Sequence, residues 1–294
     1  MLLEGCWLCG SEETETCTEC TGVYCTVHRQ IHKYDKKCSP IRVRVDDEKG
    51  KCLIATRDIK PLEVILKESP ILVSPYTKTK PLCLGCYRKV DLSFCCQNCG
   101  FPLCNDKCGL QSYHTAECKI IANSSWRPSI KNTDSIESDY AVILLLRCLH
   151  MKEENTAFFN LFSSFYSHRE LRRVENPELW KFHQENSVNV LRNLIPTSQL
   201  SLYKCSDENL HEILGLMYTN SVNLEVPPGY GEVTGFYPTY ANLNHSCLAN
   251  TKSVVRPDST IEVRAQIKIS AGEEILTQYV GGEKPTRIRR DILR

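Results

Sequence analysis

The chain has 294 residues, a net charge of +1 and 24% charged residues, a balance that excludes a polybasic nucleic-acid coat or a polybasic membrane anchor. Hydrophobic residues make up 41%, enough for the core of one large domain with additions or of two ordinary ones. The most apolar run, Ala141–Leu146, ends at Arg147 and falls far short of a membrane span, and Glu4 in "MLLEGCWLCG" is unlike the basic start of a signal peptide.

The expected compartment is therefore reducing, cytoplasm and/or nucleus, where disulfides are not expected. Six of the eighteen cysteines fall between Cys6 and Cys38 and eight between Cys83 and Cys118. Clustering at CxxC spacing is the mark of zinc rather than of a disulfide scaffold. The first cluster offers Cys6, Cys9, Cys17, Cys20, Cys25, His28, His32 and Cys38. The second offers Cys83, Cys86, Cys96, Cys99, Cys104, Cys108, His114 and Cys118, with Cys95 as a spare thiol or a competitor of Cys96. Eight ligands per cluster suffice for two tetrahedral ions, so four Zn2+ are expected in all. A segment of under about 40 residues cannot bury enough apolar surface to fold by itself. Structural zinc, at roughly 10–16 kcal/mol per site in peptides, makes up the deficit.

Between the clusters, "CLIATRDI" and "EVILKESPILV" alternate as strands around a turn at Lys60–Pro61. After the second cluster comes a polar link, residues 123–135, and then helical periodicity from Asp139 to about Tyr218. "YAVILLLRCLH" reads as an apolar helix. "NPELWKFHQENSVNVLRNLI" reads as one helix with Asn176 as N-cap and Pro177 at the first helical position. A third helix has Ser206 as its cap and a stripe of Leu210, Ile213, Leu214 and Met217, expected to be ordinary core packing. From Thr260 onward "TIEVRAQIKI" and "EILTQYV" return to strand alternation around a turn at Ala271–Gly272. The stretch "NLNHSC", Asn242–Cys247, packs amides, an imidazole, a hydroxyl and a thiol together and is not written as a core strand.

"GFYPTYANLNHSCLAN" and "AGEEILTQY" together resemble the SET domain of protein lysine methyltransferases, and "KGKCLIATRDI" resembles its first GxG-strand motif. The cysteine clusters resemble MYND zinc fingers, the second more closely than the first, where His28 stands in place of a cysteine. Across essentially its whole length the chain is thus similar to the SMYD family of SET/MYND proteins, and its extra N-terminal finger to the arthropod SmydA or msta branch. The fold class implied is α+β: a split SET β-fold with a helical insert and two small cross-braced zinc fingers. The division expected is 1–40 finger, 41–80 first SET part, 81–120 finger insert, 121–218 helical insert, 219–284 second SET part and 285–294 start of a post-SET region.

That resemblance implies further assignments. S-adenosyl-L-methionine would be the methyl donor, held by Gly50, Lys51, Asn220, Asn244, His245 and Tyr279. Tyr279 and Tyr237 would be catalytic, although Tyr237 reads equally well as a packed aromatic. Cys6, Cys9, Cys25 and His28 would hold one zinc and Cys17, Cys20, His32 and Cys38 another, and Cys247 would join three post-SET cysteines on a further ion. The partners implied are a protein substrate or proline-containing peptides. No direct nucleic-acid or membrane partner and a monomeric state are expected. The sequence departs from the family at four places. Cys52 replaces the second glycine of the first motif, Ala249 replaces a proline, and Val255 with Arg256 stands where a channel tyrosine is usual. The chain ends at "TRIRRDILR" with no CxCxxxxC ligands, and Arg287, Arg289, Arg290 and Arg294 read as a solvated helix face. The reading is a protein-lysine methyltransferase; the alternative is an inactive zinc-binding adaptor recruiting partners in transcription regulation.

Overall fold

The computed structural model describes residues 1–34, 37–195, 205–224 and 231–279. In chain order they form β1 (Glu15–Thr16), β2 (Val23–Tyr24), α1 (Thr26–Ile31), β3 (Lys33–Tyr34), β4 (Lys37–Cys38), β5 (Ile41–Asp46), β6 (Gly50–Ala55), β7 (Val64–Glu68) and β8 (Leu72–Pro75). Then come α2 (Asp106–Gly109), α3 (Ser112–Ala122), α4 (Ile143–Glu154), α5 (Thr156–Ser163), α6 (Arg169–Glu175), α7 (Pro177–His183), α8 (Asn189–Leu194) and α9 (Asp207–Asn220). The chain continues with β9 (Ser221–Asn223), β10 (Val233–Phe236), β11 (Asn244–His245), β12 (Thr251–Val255), β13 (Ile261–Ala265) and β14 (Leu276–Thr277). It divides into two compact units, one made of Met1–Pro70 with Tyr237–Arg294, the other of Ile71–Phe236. The expected post-SET start at 285–294, with its arginines, lies outside the described residues.

In the first unit β5 and β6 form an antiparallel hairpin with Ile41 opposite Ala55 and Asp46 opposite Gly50. Its turn is built by the Asp46 carboxylate, which accepts from the backbone N–H of Glu48 (3.0 Å) and Lys49 (3.1 Å). Gly50 then takes φ +74°, a conformation that a side chain would strain. A second sheet runs β12–β13–β7, antiparallel, with a bulge at Val263/Arg264. Alternation puts Val263 and Ala265 in the core with Ile41, Val43, Leu53, Ile65 and Leu66. Glu262 and Arg264 take the other side, where the Glu262 carboxylate pairs with Arg256 and Arg264. Glu68, at the end of β7, is buried, and its carboxylate accepts from the N–H of Thr239 (2.9 Å) and Tyr240 (2.9 Å). Burial pushes that carboxyl above the usual carboxylate range, although the Tyr240 and Thr239 donors favour the charged form. The contact caps the 3₁₀ turn Tyr240–Asn242 and so fixes the approach to β11.

In the second unit β10 pairs antiparallel with both β8 and β9. Asn176 and Ser206 cap α7 and α9, their side chains accepting from Leu179 N–H and Asn209 N–H. The stripe Leu210, Ile213, Leu214 and Met217 is buried. The long helix expected after Asn176 runs unbroken to Leu194, with a π-helical segment, Gln184–Val188, between α7 and α8. Polar side chains account for the change. Ser187 donates to the Ala141 carbonyl (2.9 Å), Asn186 to the Phe182 carbonyl (3.0 Å), and Gln184 pairs with His211 (2.8 Å) and Asp207 (3.0 Å). At Gly215 an added Cβ would lie 2.3 Å from Arg172 Nη1 and 2.6 Å from the Ser167 carbonyl oxygen, so only glycine lets α9 pack this closely.

Candidate functional site

The polar stretch around Asn244 and the "GEE" stretch around Glu274, 30 residues apart, meet in the first unit. β11 runs parallel to β14, Asn244 opposite Leu276 and His245 opposite Thr277. The segment is locked by Asn250, whose side chain accepts from Leu276 N–H (2.8 Å) and donates to the Glu274 carbonyl (2.8 Å). The N–H of Tyr279 donates to His245 Nδ1 at 2.9 Å. A neutral His245 ring therefore carries its proton on Nε2, which lies 3.4 Å from Cys247 Sγ. The Tyr279 hydroxyl is turned inward onto the Leu243 carbonyl while the residue remains 56% exposed. Burial of that hydroxyl end pushes the phenol up to about 12.

β6 reaches the same place from the other side. Ile54 bridges Glu274, and Ile275 N–H donates to the Leu53 carbonyl (2.8 Å). The Glu274 carboxylate takes Asn244 Nδ2 at 3.0 Å and Lys49 Nζ at 2.9 Å. At Gly50 nothing lies within 4 Å of where a Cβ would stand. Lys51 is half-buried, which lowers its ammonium pKa. Cys52, which replaces the expected glycine, is fully buried. The side chains of Lys49 and Asn244 thus meet on Glu274, and Tyr279 meets His245, the residue after Asn244.

Tyr237 is fully buried and its hydroxyl donates to the Ser259 carbonyl (2.5 Å), the packed arrangement named as its alternative. Asn220 belongs to the second unit, where its amide donates to the Tyr166 and Leu216 carbonyls (both 2.8 Å). Arg256 lies back on Glu262 at 2.8 Å. Cys247 is exposed. A surface hollow lined by Lys37, Arg57, Lys60, Pro61, Leu62, Glu63 and Val64 shares none of these residues.

The cysteines gather in four quartets that could each hold a metal ion: Cys6, Cys9, Cys25 and His28; Cys17, Cys20, His32 and Cys38; Cys83, Cys86, Cys104 and Cys108; Cys96, Cys99, His114 and Cys118. The quartets interleave along the chain, and Cys95 belongs to none of them. Their spacing fits zinc. Tetrahedral bonds of about 2.3 Å place sulfurs about 3.8 Å apart, whereas a disulfide needs about 2.05 Å. The observed separations are 3.8 Å for Cys9–Cys25, 3.7 Å for Cys17–Cys38, and 3.6 Å for both Cys86–Cys104 and Cys96–Cys118. His28 Nδ1 lies 3.6 Å from Cys6 Sγ and 3.3 Å from Cys25 Sγ. His32 Nδ1 is paired with the Arg29 carbonyl at 2.9 Å, leaving Nε2 buried with no hydrogen-bond partner among the described residues. An imidazole oriented by a carbonyl with its other nitrogen bare is the usual arrangement of a metal ligand.

The SET domain model matches residues 50–280, most of the chain, and the protein belongs to the SET domain family. Histone-lysine N-methyltransferase SET5 of Vanderwaltozyma polyspora is 25% identical over 88% of this chain and 59% of its own length. SET domain-containing protein SmydA-8, isoform B, of Drosophila melanogaster is 25% identical over 85% of this chain and 54% of its own length. N-lysine methyltransferase SMYD2-B of Xenopus laevis is 28% identical over 72% of this chain and 47% of its own length. The chain thus spans from 47% to 59% of the length of these relatives. Among solved structures, Rubisco LSMT bound to sinefungin and monomethyllysine aligns with 86% of this chain and 51% of that one, at 13% identity and a TM-score of 0.46.

Three residues of this neighbourhood escaped the sequence reading: Glu68, Asn250 and Glu274. The doubled acid of "GEE" beside a turn was a signal for Glu274. Glu68 carried none, since a glutamate ending a strand is ordinarily solvated.

Proposed function

We propose that this protein transfers a methyl group from S-adenosyl-L-methionine to a lysine side chain of a protein substrate. The observation that carries the reading is the parallel pairing of Asn244–His245 with Leu276–Thr277, which sets Tyr279 against His245. Membership of the SET domain family supports it. The donor set suits a ligand that is both polar and cationic: a glycine without a side chain at Gly50 and amide and imidazole groups at Asn244 and His245. Bound S-adenosyl-L-methionine would supply an activated methyl group on a sulfonium.

The chain's residues have the remaining work. A lysine of pKa about 10.4 must lose its proton near pH 7, at a cost of roughly 4.6 kcal/mol. Tyr279 and the carbonyl groups around it are suited to aim the amine. Gly50, Lys51, Asn244, His245 and Tyr279 are assigned to the cofactor, and Asn220 is kept in the same proposed set. Tyr279 is assigned as catalytic. Tyr237, buried on Ser259, acts by holding its segment in place. The four quartets are assigned one zinc each and serve as braces of MYND type. Within the family we place the chain with the SMYD-type proteins, in the SmydA or msta branch. It acts as a monomer in cytoplasm or nucleus, on protein or proline-containing peptide partners.

Calorimetric titration of S-adenosyl-L-methionine into the zinc-loaded chain tests the reading. Saturable binding near one equivalent is expected, and Tyr279→Phe should keep binding while lowering methyl transfer. Absence of binding by the zinc-loaded chain would overturn the proposal.

A further inference from the structure

We propose that Glu274 is a positioning residue that dictates which way the Asn244 amide faces, a role that rests on the methyl-donor reading for its functional consequence. A carboxylate only accepts hydrogen bonds, so the NH2 end of Asn244 must face it, as it does at 3.0 Å. The Asn244 Oδ1 is then forced to the opposite side, where it has no hydrogen-bond partner among the described residues. It is an acceptor held ready for a ligand N–H.

Glu274 is well placed for this task because its own backbone cannot swing. It is bridged to Ile54, its carbonyl accepts from Asn250 (2.8 Å), and the next N–H is tied to Leu53 (2.8 Å). The side chain is only 13% exposed, and its second oxygen is taken by Lys49 at 2.9 Å. That ion pair fixes the carboxylate's rotation and neutralises a cation beside a site assigned to a cationic ligand. Burial alone would raise the Glu274 pKa, but the Asn244 and Lys49 contacts outweigh it and hold the carboxyl below the usual range. Glu274 therefore presents two acceptor oxygens at neutral pH.

A swap of donor and acceptor tests the idea. Asn244→Asp sets two carboxylates face to face and should weaken S-adenosyl-L-methionine binding by about tenfold or more. Adding Glu274→Gln restores a donor–acceptor pair with the direction reversed, and leaves one oxygen of the introduced carboxylate facing the ligand. The double variant, N244D with E274Q, should return to within about threefold of the parent. A role confined to stability would give no such rescue. Glu274→Leu, which removes the acceptor, should weaken binding about tenfold. It should also abolish the protected side-chain amide proton of Asn244 in a spectrum of asparagine-labelled protein. Zinc content and thermal midpoint are measured on every variant; if Glu274→Leu does not fold, the swap pair decides alone. Failure of rescue, or an unchanged Asn244 amide signal in Glu274→Leu, overturns the proposal. If the parent binds no S-adenosyl-L-methionine while its Asn244 amide responds to Glu274→Leu, the methyl-donor reading falls and the positioning contact stands.

Discussion

Removing Glu117 from the second unit should be among the most damaging single changes in the protein. Glu117 and Arg147 form an ion pair whose side chains are each 1% exposed. The guanidinium also donates to the Val73 carbonyl (2.5 Å) and the Tyr87 hydroxyl (2.7 Å). Glu117→Leu leaves Arg147 charged, buried and without its counter-ion, which costs about 3–5 kcal/mol. At about 2–4 °C per kcal/mol for a unit of this size, the thermal midpoint should fall by roughly 10 °C. Adding Arg147→Met removes the stranded charge. What remains is the loss of donors to Val73 and Tyr87, roughly 1–3 kcal/mol. The double variant should therefore be more stable than Glu117→Leu alone. Urea and thermal unfolding of the zinc-loaded parent, the two single variants and the double variant would measure the coupling. Additive costs of under about 1 kcal/mol per substitution would refute the reasoning, because they would mean that water reaches the pair.

Further outcomes are expected. Cys17→Ser should lower the zinc content of the purified chain from four ions to three, by atomic emission, without creating a disulfide. Asn176→Ala removes the acceptor for Leu179 N–H and should cost about 1 kcal/mol in urea unfolding. His183 and His211 are held down to about 3 and about 4, first by burial and then by the Arg172 charge. Their folded pKa values lie below the unfolded value of about 6.5, so their contribution is full above that pH and is lost as pH falls towards 4 and 3. The urea midpoint should therefore drop between pH 7 and pH 5, and His183→Gln should flatten that dependence; an unchanged slope would count against buried neutral histidines.

Much of the molecule was legible in its residues because the signals were local. CxxC spacing needs only a tight turn, and an N-cap such as Asn176 or Ser206 acts within its own helix turn. The alternation of "TIEVRA" needs only the two faces of a strand. The π-helical segment after His183 was not legible, because Ser187 reaches Ala141 and Gln184 reaches His211, residues distant in sequence.

By itself the sequence determined which residue types were available: sixteen thiol and imidazole ligands in two runs, and the polar stretches around Asn244 and Glu274. Only the tertiary structure decided their partners. Parallel pairing of β11 with β14 depends on a crossover through β12 and β13, and no local periodicity encodes it. The same holds for Glu68, whose buried carboxylate is tolerable solely because Thr239 and Tyr240, 171 and 172 positions away, bring their N–H groups to it.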